Sequence, residues 1–121
     1  MKLNTILQLQ IGETMKQCEI RFWFEHGGIC LWAVNEVAKR MYGYDISNNE
    51  LPISQELIDK LDLLEDVYSG YLNWDYPPDP SPWTKEQKKE FILNCNEVYE
   101  RLCAELGSEY IVINDIMDCV S

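Results

Sequence analysis

A single histidine in 121 residues leaves little material for general acid–base chemistry. That histidine, His26, is also poorly placed for it. Its neighbour Glu25 projects to the opposite side of a strand end, so the two do not form an oriented pair. His26 reads instead as a solvent-exposed turn residue beside Gly27 and Gly28. Metal chemistry is equally short of parts. The five cysteines, Cys18, Cys30, Cys95, Cys103 and Cys119, are odd in number and make no C-x-x-C pair. They read as small buried hydrophobes in a reducing cytoplasm rather than as zinc ligands or a disulfide framework. There is no D-x-D-x-D-G calcium loop and no glycine-rich phosphate loop. No apolar run approaches the roughly 18 residues of a membrane span. The first ten residues are broken by polar side chains and have no small-residue cleavage site, which makes a poor signal peptide. Basic residues are scarce too, 10 against 21 acids for a net charge of −11, so direct nucleic-acid binding lacks its footprint. The expectation is a cytoplasmic chain that is not an enzyme, with no cofactor, no metal, no membrane contact and no direct nucleic-acid contact.

What is present is core material. Hydrophobic residues make up 46% and aromatics 12%, spread along the whole length, which is too rich for disorder. One domain over 1–121 is expected, with 18–114 as its core and 1–14 as an extension that supplies at most an edge strand. In that extension Leu3, Thr5, Leu7, Leu9 and Ile11 alternate while Ile6 falls out of phase, and a chain starting at Met15 is expected to fold without it. From Cys18 the alternation is clean. Cys18, Ile20, Phe22 and Phe24 face one way and Glu19 and Arg21 the other, and 29–34 returns as the second strand of a hairpin. Asn35 caps a short helix from Glu36 to Tyr42 that Gly43 ends.

Ser54 opens the first long helix, 55–72. Leu57, Leu61, Leu64, Tyr68 and Tyr71 recur along it at helical steps, widened by Ile58, Val67 and Leu72. Four prolines between Pro77 and Pro82 break the chain, so Trp74 to Trp83 reads as a stiff helix–helix connector. Its near P-x-x-P spacing also allows a polyproline ligand for an aromatic groove. Thr84 with Gln87 forms a capping box for the second long helix, 85–106. Residues 109–114 then read as a strand. The expected fold is α+β: a small antiparallel sheet, made of the hairpin plus the C-terminal strand, with the two longer helices packed on one face.

Charge is distributed unevenly over this frame. Between Ser54 and Pro82 seven acids face one lysine. Five of them, Glu56, Asp59, Asp62, Glu65 and Asp66, form a row opposite the apolar stripe of the first long helix, and Asp75 and Asp79 flank it in the connector. Glycoside hydrolysis needs two carboxylates converging on a cleft with one desolvated, which a solvated helix face does not supply. Like charges at helical spacing cost a few tenths of a kcal/mol per pair, roughly, so a basic partner that relieves them gains on association. These seven residues are the candidate partner-binding set.

The cadence Leu51-Pro52-Ile53-Ser54, Leu72-Asn73-Trp74, Pro78, Trp83, Phe91, Leu102, Glu105-Leu106-Gly107 and Tyr110 resembles small acidic bacterial immunity proteins of polymorphic-toxin and contact-dependent growth-inhibition systems. The resemblance covers roughly 18–114. Its shared positions are structural landmarks, and no site residue is carried over from it. It implies a cytoplasmic protein that binds one cognate toxin domain and neutralises it, with a nuclease whose cleft is basic as the expected target. The alternatives from other classes are an acidic nucleic-acid mimic or adaptor that binds a host regulator through the same face, and a small enzyme using scattered carboxylates.

Overall fold

A computed structural model describes residues 17–25, 28–71 and 81–120. The N-terminal segment 1–14, His26, most of the proline-rich connector, Leu72, Asp75 and Asp79 lie outside the described residues. Three strands form one sheet in the order β2-β1-β3, where β1 is Cys18–Phe22, β2 is Leu31–Ala33 and β3 is Tyr110–Asn114. Three helices fill the space between β2 and β3 in sequence: α1, Glu36–Tyr42; α2, Gln55–Tyr68; and α3, Lys85–Leu106.

The period-two pattern of β1 decides its orientation. Cys18, Ile20, Phe22 and, just past the strand, Phe24 are buried, while Glu19 and Arg21 lie on the half-exposed face. β1 and β2 make the expected antiparallel hairpin, with Ile20 opposite Ala33 and Phe22 opposite Leu31. Trp23 N–H donates to Cys30 O at 3.0 Å and Glu25 N–H to Ile29 O at 3.1 Å, carrying the pairing toward the turn. Gly28 there holds φ at 96°, a left-handed value that an L side chain rarely adopts.

The sheet differs from expectation in one respect: it is mixed, not antiparallel. β3 runs parallel to β1, with Cys18 opposite Tyr110 and Phe22 opposite Asn114. Strand direction depends on which end of the sheet the preceding helix reaches. α3 ends at Gly107, and a short 3-10 turn at Gly107–Glu109 delivers the chain to the Cys18 end of β1, so β3 starts where β1 starts. A parallel pair requires a long crossover, and the helical block supplies it.

Capping explains the helix limits. Asn35 Oδ1 accepts from Ala38 N–H at 3.0 Å to begin α1, and Gly43 N–H closes it on Lys39 O at 2.8 Å. Ser54 Oγ accepts from Leu57 N–H at the start of α2. Thr84 and Gln87 exchange both bonds of a capping box at the start of α3, as the sequence indicates.

α2 and α3 contribute to one core with the inner face of the sheet. Phe24 lies 5.3 Å from Tyr68 and 5.2 Å from Phe91, ring centre to ring centre, so one β1-side aromatic touches both helices. Trp83 caps the cluster edge-on to Phe91, Tyr71 and Tyr68. Tyr68 is buried, and its hydroxyl donates to Cys119 O at 2.9 Å, which satisfies the one polar atom it brings inside. The C-terminal segment is more than a tail. A 3-10 turn at Ile116–Asp118 tucks Ile116, Cys119 and Val120 into the same core. Cys18, Cys30, Cys95 and Cys119 are buried thiols, whereas Cys103 is exposed, and all five are free. Among the described residues no helix is long and apolar enough to cross a membrane.

Candidate partner-binding site

α2 presents the acidic row, and its packing decides what each carboxylate does. Leu57, Ile58, Leu61, Leu64 and Tyr68 are buried, which turns Glu56, Asp59, Asp62 and Asp66 to solvent. Val67 was expected to widen the apolar stripe. It is instead 44% exposed, and Leu63, one turn before it, is 61% exposed. The acidic face therefore carries an apolar strip at i, i+4.

At the start of α2 the charge is answered. Arg101 of α3 donates from Nη2 to Glu56 Oε1 at 2.6 Å and lies 3.2 Å from Glu105 Oε2. Glu105 in turn accepts from Ser54 N–H at 2.6 Å and from Ser54 Oγ at 2.9 Å. The cap of α2 is thus tied to the last turns of α3. Arg101 holds Glu56 below the usual carboxylate range, and the Ser54 backbone N–H does the same for Glu105.

In the middle of α2 the arrangement changes. Ser47 and Glu50 form a capping box around a short 3-10 turn, Asn48–Glu50, that presses Asn48 against the helix. Asn48 is the buried polar residue of the described chain, at 7% exposure. Its Nδ2 donates to Asp62 Oδ1 at 2.8 Å, and its Oδ1 faces the Cys30 thiol at 3.7 Å. Glu65 departs from the expected row. It is half-buried, turned toward Cys30 and Asn48 rather than outward. Loss of solvent raises its carboxyl above the ordinary range, and the hydrogen bonds from Cys30 and Asn48 only partly offset that rise. Burial likewise pushes the Cys30 thiol well up, with the nearby Glu65 charge adding to it. An open groove of about 430 Å³ lies between the Ser47–Asn49 turn and α2, lined also by Asp62, Glu65, Ile29 and Ile58.

The structure therefore brings together Asp59, Asp62 and Asp66 as an exposed acidic surface. Asp59 accepts from Gln55 Nε2 at 2.9 Å. Among the described residues no cation forms an ion pair with any of these three. Two contributors escaped the sequence reading. Asn48 was signalled only by the S-x-x-E capping pattern of 47–50, and the exposure of Leu63 and Val67 depends on which side of α2 the rest of the fold covers. Among the described residues no group of three or more His, Cys, Asp or Glu is arranged to hold a metal ion.

None of the curated proteins matches the chain. The family described as Serratia CdiI immunity protein-like does match it, over residues 18–114. That span runs from the first residue of β1 to the last residue of β3, so it contains the whole sheet and every helix of the crossover. The chain belongs to the Serratia CdiI immunity protein-like family.

Proposed function

We propose that this chain neutralises a cognate toxin domain by binding it, and that it does so as a stoichiometric inhibitor rather than an enzyme. The observation that carries the reading is the family match over residues 18–114. The contact surface is the solvent side of α2. Asp59, Asp62 and Asp66 supply exposed charge there, Leu63 and Val67 supply apolar area, and Glu56 and Glu65 border it. Asp75 and Asp79 follow α2 in sequence and extend the same charge. A toxin whose substrate cleft is basic, as in a nuclease, matches this surface in sign. Steering between opposite fields speeds encounter and makes the association rate fall with added salt. Apolar contact from Leu63 and Val67 lengthens the lifetime of the complex once charge has brought it together.

The test is charge reversal at Asp59, Asp62 and Asp66, all to Lys, assayed against the cognate toxin domain. All three side chains are exposed, so the fold should persist with an unchanged circular dichroism spectrum, while Asp62 gives up its bond from Asn48 and some stability with it. Binding is expected to weaken by about 100-fold, with most of the early loss in the association rate. A reversed protein that bound and protected cells as well as the original would move the interface off α2.

A further inference from the structure

The two edges of the sheet are finished differently. The outer edge of β2 is closed by the chain that follows α1. Ala33 N–H donates to Tyr44 O at 2.8 Å, Ile46 N–H donates to Leu31 O at 2.9 Å, and Trp32 bridges Asp45. The outer edge of β3 has no such cover among the described residues. Asp115 N–H donates to Phe22 O, and alternate residues of a strand turn their backbone groups to the same neighbour. Ile111 and Ile113 therefore address β1, while Val112 and Asn114 address the outside. Among the described residues no hydrogen bond uses the N–H of Val112 or of Asn114. β3 also lacks the devices that usually blunt an open edge. Its sequence, Tyr-Ile-Val-Ile-Asn, contains no lysine, no proline and no glycine.

We infer that this edge is a second docking surface for the toxin partner and accepts an extended segment of it as a fourth strand. This rests on the toxin-binding reading above. The occupant is argued from charge. A second copy of this chain would bring another −11, and antiparallel self-pairing about Val112 would set Glu109 opposite Asp115 of the second copy. Like charges directly opposite are destabilising, and Arg21, whose Nε lies 2.6 Å from Asp115 Oδ2, offsets part of that repulsion but leaves Glu109, Asp118 and the net charge unanswered. Glu109 precedes β3, and Asp115 and Asp118 follow it. The strand that fits is apolar in the middle and carries Lys or Arg at its ends. Its outward side chains would lie beside Ile111, 38% exposed, and Ile113, which continue the half-exposed outer face of β1 at Arg21. Backbone pairing supplies the contact, and alternate side chains supply the specificity.

The experiment uses the full chain and the same cognate toxin domain, with two variants. Asn114→Pro removes the outward N–H. Asn114→Ala keeps it but loses the same side-chain bonds, those to Asn96 Oδ1 and from Ile116 N–H, both at 3.2 Å. The proline variant is expected to bind about tenfold more weakly and the alanine variant within about twofold of the parent. Exchange of the Val112 amide is expected to slow by at least roughly tenfold in the complex. Equal binding by the two variants, or a complex that leaves Val112 exchange unchanged, overturns the inference and leaves the α2 surface standing. A proline effect that persists while the α2 reversal binds normally supports it and displaces the α2 surface instead. An Asn114-dependent homodimer in sedimentation overturns it in favour of self-pairing, and no binding by the parent overturns both.

Discussion

At the first turn of α2, Glu56 meets Arg101 at 2.6 Å while Glu105 accepts two bonds from the Ser54 cap; two turns later, Glu65 is half-buried beside Cys30 and Asn48 with no cation paired to it among the described residues. In sequence the two regions look alike, carboxylates at helical spacing on one face. In the fold their electrostatics have opposite sign. The first end is held ionised by a guanidinium and by backbone N–H groups, so its carboxyls titrate low. The middle is desolvated, so its carboxyl titrates high. Charge at the first end strengthens the α2–α3 junction, and charge in the middle strains the seam between α2 and the Asn48 turn.

The contrast can be broken hardest at Asn48. Asn48→Ala removes the donor to Asp62 and the polar partner of Cys30, leaving both next to Glu65 in a half-dry seam. A loss of about 1–3 kcal/mol is expected, read as a lower urea midpoint with an unchanged slope. Next comes Ser54→Ala, which deletes the side-chain cap and one of the two bonds to Glu105 while keeping the backbone N–H. A cost of about 1 kcal/mol follows from the lost cap.

Smaller effects separate the two regions by pH. Glu65 favours its protonated form in the fold, so stability is given up as pH rises from the ordinary carboxylate range through its raised value. Glu65→Gln should therefore stabilise the protein at pH 7 and do little at pH 4, and equal shifts at both pH values would contradict the desolvated seam. Glu56 and Glu105 have the opposite sign. Their contribution is present above the ordinary carboxylate range and is lost as pH falls through their lowered values. Arg101→Ala should remove that contribution with the smallest effect of the series, and the difference from parent should disappear in 1 M salt because the pair is exposed. A salt-independent loss there would mean that Arg101 acts through packing of its aliphatic stem.

The helices were legible because their determinants are local. α1 and α3 begin and end where Asn35, Gly43, Thr84 and Gly107 say they should, and each cap is a bond closed within four residues. α2 starts at the residue after Ser54 as read but stops at Tyr68, short of 72, because Ser69 and Gly70 already close their N–H groups on the last turn. The inward face of β1 followed from alternation alone. The direction of β3 did not, because a period of two reads the same whichever way the strand runs, and the exit of α3 at the Cys18 end sets it.

The acidic site divides along the same line. Sequence by itself determined that Glu56, Asp59, Asp62 and Asp66 would lie away from Leu57, Leu61 and Leu64 on α2, since one period of 3.6 fixes both faces at once. It also determined the net charge of −11. Only the tertiary structure decided which of those carboxylates stay free. Arg101 lies 45 residues from Glu56, and Asn48 lies 14 from Asp62. An ion pair or a desolvated seam depends on which groups come within about 4 Å of each other, and no local pattern encodes a distance across the chain.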